Sequence, residues 1–530
     1  MSPTRRTFLK RLGLGAGGLF LSHRLPRAWA LDQPRLLRST PAAEGVAAEG
    51  ILAFLEATAA QKFELHSFLL ARHGRVVAEG WWAPYAPSLR HTMYSMSKSF
   101  TSTAAGLAVA EGKLRVEDRV VGFFPKELPE AVSENLAALR VQDLLTMSVG
   151  NEKEPTGPVT KEENWVRAFL AQPISHTPGT VFLYNSAATY MVSAIVQQVT
   201  GERIVDYLRP RLFEPLGIQN VAWETCPRGI NTGGWGLSVP TEALAKFGQL
   251  YLQKGMWHGR ELLPAQWIEE ATRFHIQQPA PAQPKRPNEQ NDWLQGYGYQ
   301  FWRCQHRAFR GDGAFGQFTI VLPEQDAVIA MTSENGNMQG QLDLVWEHLL
   351  PAMKDRPVAD DPALQRRLNE TLSSLALNPP AGQRTSPTAA RVSGKTFQIE
   401  KNDLGLQSVS FAFQPDTTLF NLRDPQREYP ISCGFERWTN GETSVPGTPP
   451  RLLAGGAPKP GTPFKIAASG TWKNERTFEM TWRYYETPHH DTVTCTFDGD
   501  QVTVAFLSSV ARMRNLSKDS RPALIGRLAG

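Results

Sequence analysis

Between Phe478 and Phe506 the chain alternates: Phe478, Met480, Trp482 and Tyr484 are separated by Glu479, Thr481 and Arg483, and Val493, Cys495 and Phe497 run into Asp498-Gly499 before Val502, Val504 and Phe506 return. A period of two places every second side chain on one face, so these segments bury their apolar residues as half-covered strands joined by hairpins. The pattern predicts an all-β sandwich or barrel domain over residues 392–515, followed by a tail at 516–530. Residues 356–391, a polar helix and then Pro379, Pro380, Gly382 and Pro387, read as a helix and Pro-rich linker.

Before Asp355 the period is different. The run STAAGLAVAEGKL up to about Gly112, and the stretches Val141 to Met147, Tyr190 to Val199 and Leu244 to Leu252, are helical in spacing and composition. Strand signals flank them. HSFLLARHGRVVAEGWW reads as a hairpin about His73-Gly74, while GYGYQFWRC and GQFTIVLPEQDAVIAMTS read as antiparallel strands before a helix at about 341–353. The Pro-rich stretch 278–292 reads as a surface loop. Strands at both ends with helices between predict an α+β domain over 31–355, one sheet plus a helical lobe, with the crevice between them as the default site. A chain of 530 residues with 41% hydrophobic content has material for such a division.

The first thirty residues read as a twin-arginine export signal: Thr4-Arg5-Arg6-Thr7-Phe8-Leu9-Lys10, a Gly-rich apolar run from Leu12 to Leu21, then Ala28-Trp29-Ala30 as a cleavage site. Removing 1–30 takes the formal charge from +5 to −1, because six cations and no acid leave. The mature chain then has no basic stripe for nucleic acid and no run long enough to span a membrane, and its expected location is the periplasm or beyond. Gly13-Leu14-Gly15-Ala16-Gly17-Gly18 matches a dinucleotide fingerprint, but it falls in the signal with no strand before it. Cys226, Cys304, Cys433 and Cys495 leave two readings open, disulfides pairing Cys226 with Cys304 and Cys433 with Cys495, or buried free thiols. No spacing suggests a metal site, and His489-His490 reads as a loop pair.

Three segments carry chemistry. Ser95-Met96-Ser97-Lys98 is an S-x-x-K, which two common residue types produce about once by chance in a chain of this length. At a helix start, however, positions three apart share a face, so the Lys98 amine reaches the Ser95 hydroxyl, and a desolvated lysine can assist its deprotonation. Tyr184-Asn185-Ser186 forms a turn before an apolar helix, where a tyrosine beside a lysine could act as a phenolate base. Arg310-Gly311-Asp312-Gly313-Ala314-Phe315-Gly316-Gln317 leads into FTIVLP; small residues there let a substrate lie against the backbone, and a backbone N–H could pair with that of Ser95 as an oxyanion hole.

This order resembles the serine β-lactamase and penicillin-binding-protein superfamily, specifically class C β-lactamase-like serine hydrolases. YSMSKSFTSTAAGLAVAEGKL, VQDLLTMSVG, PGTVFLYNS, GGWGLSVPTEALAKFGQLYL and GAFGQFTIVLP carry the resemblance over residues 45–355. It implies an antiparallel sheet with flanking helices plus a helical lobe, a covalent acyl-enzyme, and no metal or organic cofactor. By position Ser95 is the nucleophile, Lys98 its activating partner, Tyr184 the base, and Ser95 and Ala314 the oxyanion donors, with Gly311, Asp312, Gly313, Asn185 and Ser186 beside the substrate. Two positions depart from the family. Ser186 stands third in the Y-x-N motif, and Gly311-Asp312-Gly313 replaces K-T-G or H-x-G, removing the cation that engages a β-lactam carboxylate. The expected function is therefore an exported serine hydrolase of a small-molecule ester or amide, such as a 6-aminohexanoate-dimer-hydrolase-like enzyme. The alternatives are a β-lactamase or D,D-peptidase, and a catalytically silent cell-wall or ligand-binding protein on the same fold.

Overall fold

The computed structural model describes residues 36–453 and 461–529, so the segment read as an export signal lies outside the described residues. Seven strands build the first sheet: β1 (Leu37–Arg38), β2 (Leu65–Arg72), β3 (Arg75–Trp81), β4 (Trp302–Arg303), β5 (Phe309–Gly313), β6 (Gln317–Leu322) and β7 (Ala327–Ser333), in the order β1-β3-β2-β7-β6-β5-β4. The short β1 runs parallel to β3, and the other neighbours are antiparallel. Early and late chain meet where Leu70 pairs with Ile329 and Phe68 with Met331. His73 and Gly74, at φ 51° and 72°, make the left-handed two-residue turn between β2 and β3.

Both faces of this sheet are covered. Leu69, Ala71, Val328 and Ala330 join the core of the helical lobe, while Phe68, Leu70, Ile329 and Met331 join a second core with helix α1 (Ala48–Ala60). Two-sided burial is why these strands read as nearly continuous apolar runs. The helical lobe is built around α2 (Ser97–Ala110), α3 (Ser186–Thr200) and α4 (Thr241–Leu252). Helix α2 is buried from Ser97 to Ala108, which its small residues allow: a Cβ at Gly106 would lie 2.5 Å from the Trp267 indole. Most of its hydroxyls bond within the fold: Thr103 Oγ1 donates to the Ser99 carbonyl at 2.9 Å, Thr101 Oγ1 to the Gly233 carbonyl at 2.9 Å and Ser99 Oγ to the Gln300 carbonyl at 2.9 Å.

The alternating segments close into a barrel. Strands Thr396–Ile399, Ser408–Phe413, Thr417–Arg423 and Glu428–Gly434 form one antiparallel run, and Phe464–Asn474, Thr477–Arg483, His490–Asp498 and Gln501–Ser508 form another. One seam is a parallel pairing of Gly434 with Ser469. The other is Leu524–Leu528, inserted between Thr396–Ile399 and Gln501–Ser508. The expectation of a tail at 516–530 is thus corrected: Leu-Ile-Gly-Arg-Leu is too short and too mixed to show a period of two. Phe397, Phe411, Phe420, Trp472, Trp482 and Phe497 fill the interior.

All four cysteines are buried free thiols, so neither disulfide pairing is present. No helix among the described residues is long and apolar enough to cross a membrane. The barrel docks on the α+β domain through Arg483, whose Nη1 lies 2.5 Å from Glu64, and through Tyr85, which donates to the Thr487 carbonyl at 3.0 Å.

Candidate active site

Ser95 sits in a single 3₁₀ turn, Tyr94–Met96, that runs into α2. The turn is pinned at both ends. Tyr94 has φ 47°, in the left-handed region that a bulky residue adopts only when its surroundings hold it there. Ser97 Oγ donates to the Tyr94 carbonyl at 2.6 Å and accepts the Leu237 N–H at 3.0 Å.

Strand β5 passes under this turn. A Cβ at Gly313 would lie 2.0 Å from the Met93 carbonyl oxygen, and one at Gly311 2.4 Å from the Met96 sulfur. The space expected for substrate along Gly311 and Gly313 is therefore filled by the Ser95 turn itself. Because the obstacle at Gly313 is backbone, it cannot swing aside. Gly313→Ala is expected to lower kcat on an activated ester about 100-fold by displacing the turn, measured beside a circular-dichroism melt that reports the fold.

Lys98 Nζ lies 3.0 Å from Ser95 Oγ, 3.0 Å from Ser186 Oγ and 2.7 Å from the Gly234 carbonyl oxygen. Its side chain is 1% exposed. Burial pulls its pKa down to about 7, against the opposing pull of Glu154 and Asp312. The carbonyl can only accept, so a neutral amine donates there and to one hydroxyl, leaving its lone pair for the other hydroxyl proton.

The Tyr184 ring centroid is 4.8 Å from Lys98 Nζ, and the ring stacks on Trp302 at 5.5 Å and meets Tyr297 edge to face at 6.5 Å. Burial, and then the charge of Asp312, push the phenol pKa upward, while a bond with Ser95 pulls the other way. A Tyr184 phenolate, expected from the sequence, is disfavoured on these grounds. Of these two groups Lys98, with its pKa drawn down to about 7, gives up its proton more readily near neutrality.

The other expected residues divide. Ser186 faces Lys98 rather than open space, and its N–H donates to Glu154 at 3.1 Å. Asn185, expected beside the substrate, is buried: its side-chain oxygen accepts the Ala188 N–H as the cap of α3, and its amide donates to Asn151 at 3.1 Å. Asp312 is likewise turned inward, accepting from Arg310 Nε at 2.9 Å. Arg310 is 0% exposed, also donates to the Asp292 carbonyl at 2.7 Å and stacks 4.4 Å over Trp293, so it does not replace the missing triplet cation. Ala314 is half-buried just past β5, and among the described residues neither its N–H nor that of Ser95 is engaged by a backbone carbonyl.

Sequence reasoning missed Gly234, Glu154 and Trp302, and misread His489. GGWGLS supplied no sign that a carbonyl would face Lys98. His489, expected in a loop pair, is 1% exposed; its Nε2 accepts from the Tyr94 hydroxyl at 2.5 Å and its Nδ1 faces Glu334 at 2.6 Å. Tyr94 and His489 also line a cavity of about 350 Å³, between Trp223, Glu224 and Trp235 of the helical lobe and Leu452 and Phe464 of the barrel.

The Beta-lactamase family model matches residues 54–349, more than half of the chain. The 6-aminohexanoate-dimer hydrolase of Paenarthrobacter ureafaciens is 27% identical over 220 residues, 38% of this chain and 56% of that protein, so the match spans about half the length of this relative. A penicillin-binding-protein homologue from Caulobacter crescentus has 17% identity and a TM-score of 0.47, covering 59% of this chain and 99% of its own. The octameric homologue from Pyrococcus abyssi has 15% identity and a TM-score of 0.47, covering 90% of this chain and 99% of its own. By the family match over the domain that holds Ser95 and Lys98, the chain belongs to the Beta-lactamase family, within the serine β-lactamase and penicillin-binding-protein superfamily.

Proposed function

We propose that this hydrolase cleaves an ester or amide of a small molecule through an acyl intermediate on Ser95. The observation that carries the reading is the buried Lys98 amine, its pKa drawn down to about 7 and its Nζ 3.0 Å from Ser95 Oγ. Lys98 takes the Ser95 proton as Oγ attacks the carbonyl carbon, and the Ser95 and Ala314 N–H groups hold the oxyanion. Collapse of the tetrahedral species breaks the bond to the leaving alcohol or amine, which receives the proton from Lys98, with the Tyr184 hydroxyl as a neutral relay. Water, deprotonated by the same amine, then adds to the acyl carbon and frees Ser95.

The engagement of Arg310 with Asp312 supports substrates without the carboxylate that β-lactams present, and the likeness to a 6-aminohexanoate-dimer hydrolase supports a small amide or ester. On this reading a chromogenic cephalosporin is a poorer substrate by kcat/KM than a p-nitrophenyl ester. Export through the twin-arginine route is a further proposal, resting on Arg5, Arg6 and the run that follows them.

A fluorophosphonate and peptide mapping test the nucleophile: the adduct is expected on Ser95, and an adduct elsewhere or none overturns the reading. The pH profile tests the base. Lys98 works unprotonated, so kcat/KM is expected to rise with pH through an apparent pKa of about 7 and to flatten above it. A profile flat from pH 5 to 9 would remove Lys98 from that role.

A further inference from the structure

We infer that His489, supplied by the barrel, is a positioning residue for the oxyanion hole of the hydrolase site; the inference rests on the acyl-Ser95 reading above. Three rings meet at this point. The His489 imidazole is 5.7 Å from the Tyr94 ring and 4.9 Å from the Phe315 ring, and Tyr94 and Phe315 are 5.5 Å apart, edge to face.

Tyr94 immediately precedes Ser95, and Phe315 immediately follows Ala314. Both are bulky residues in the left-handed region, at φ 47° and 70°. A side chain leaves that region readily, so both backbone turns need an outside restraint. His489 touches both of them. Its Nε2 accepts the Tyr94 hydroxyl proton at 2.5 Å, and its ring meets that of Phe315 in a T-shaped contact at 88°.

The imidazole is itself fixed. Nδ1–H donates to Glu334 Oε1 at 2.6 Å, which leaves Nε2 as the acceptor for Tyr94. Glu334 also accepts from Ser509 Oγ at 2.5 Å and faces His490 Nδ1 at 2.9 Å. It follows β7 directly, and the next residue, Asn335, donates its N–H to the Phe315 carbonyl at 3.0 Å. Sheet, nucleophile turn and barrel are thus joined through one side chain. The two N–H groups proposed to hold the oxyanion lie one residue away from the two rings it restrains.

The test compares full-length wild type, His489→Ala, His489→Gln and Tyr94→Phe. Each is assayed for kcat and KM on a p-nitrophenyl ester and for the rate at which a fluorophosphonate labels Ser95. Glutamine can accept from Tyr94 and donate to Glu334, so it restores the connection without the ring, while Tyr94→Phe removes only the hydroxyl. His489→Ala is expected to lower kcat and the labelling rate about 100-fold with KM changed less than about 3-fold. His489→Gln is expected to recover most of that loss, and Tyr94→Phe to show part of it. Labelling of His489→Ala at the wild-type rate overturns the inference and leaves Ser95 as nucleophile. A loss that falls on KM, or that glutamine does not recover, also overturns it. Absence of a Ser95 adduct in wild type would instead sink the underlying reading.

Discussion

Lys98→Met is expected to slow hydrolysis of an activated ester about 10³-fold, within the range that removing a general base produces. Methionine keeps much of the length of the side chain but has no proton acceptor of useful basicity, so Ser95 would have to attack as the neutral alcohol. The three contacts of Nζ, to Ser95, Ser186 and Gly234, vanish together, while the Ser95 turn stays pinned by Ser97. Stability should move the other way. The folded-state pKa of Lys98 lies near 7, below the ordinary 10.5, so the unfolded chain binds this proton more tightly. Wild type therefore loses stability as pH falls from about 10.5 to about 7 and keeps that penalty below it, whereas the methionine variant does not. The variant is expected to be nearly inactive and, at pH 6, to melt no lower than wild type by calorimetry. Turnover within 10-fold of wild type would remove Lys98 from the mechanism.

Arg521→Met is expected to cost about 3–5 kcal/mol, the penalty for stranding a buried partner charge. Arg521 Nη1 and Nη2 lie 2.8 and 2.7 Å from the two oxygens of Asp491, whose side chain is fully buried, and Nη2 reaches Asp519 at 2.8 Å. Tyr484 donates to the same Asp491 carboxylate at 2.7 Å, which is not enough to carry an ion inside the protein. Urea unfolding should show the barrel opening at a lower midpoint. The double variant Arg521→Met with Asp491→Leu separates the two explanations: recovery assigns the loss to the stranded carboxylate, and no recovery assigns it to packing on Phe506, which the guanidinium covers at 4.8 Å.

Period was legible and proximity was not. Alternation at Phe478 to Phe506 gave the barrel, and helical spacing gave the lobe, because both depend on local geometry that repeats along the chain. Ser95 and Lys98 were placed together for the same reason, being one helical turn apart. The desolvation that pushes the Tyr184 pKa upward was not legible, because sequence shows neighbours but not burial. Gly311 and Gly313 were recognised as sites of close approach, yet what approaches them is Met93 and Met96, a pairing that only the passage of β5 under the Tyr94–Met96 turn creates. His489 lies 395 positions from Tyr94, and Arg483 lies 419 from Glu64. Such contacts belong to the docking of two surfaces and leave no period behind.

The strand Leu524–Leu528 has a consequence for the order in which the molecule is made. Translation completes the first sheet once Ser333 has emerged, and a unit formed early in the chain can fold while the rest is still being synthesised. The barrel cannot close then, since Gln501–Ser508 and Thr396–Ile399 have no partner on their facing edges until Leu528 is available. A nascent chain thus carries the Ser95 turn well before the barrel that presents His489 can form. On the proposed role of His489, the turn that carries Ser95 reaches its full constraint only after the barrel has closed around Leu524–Leu528.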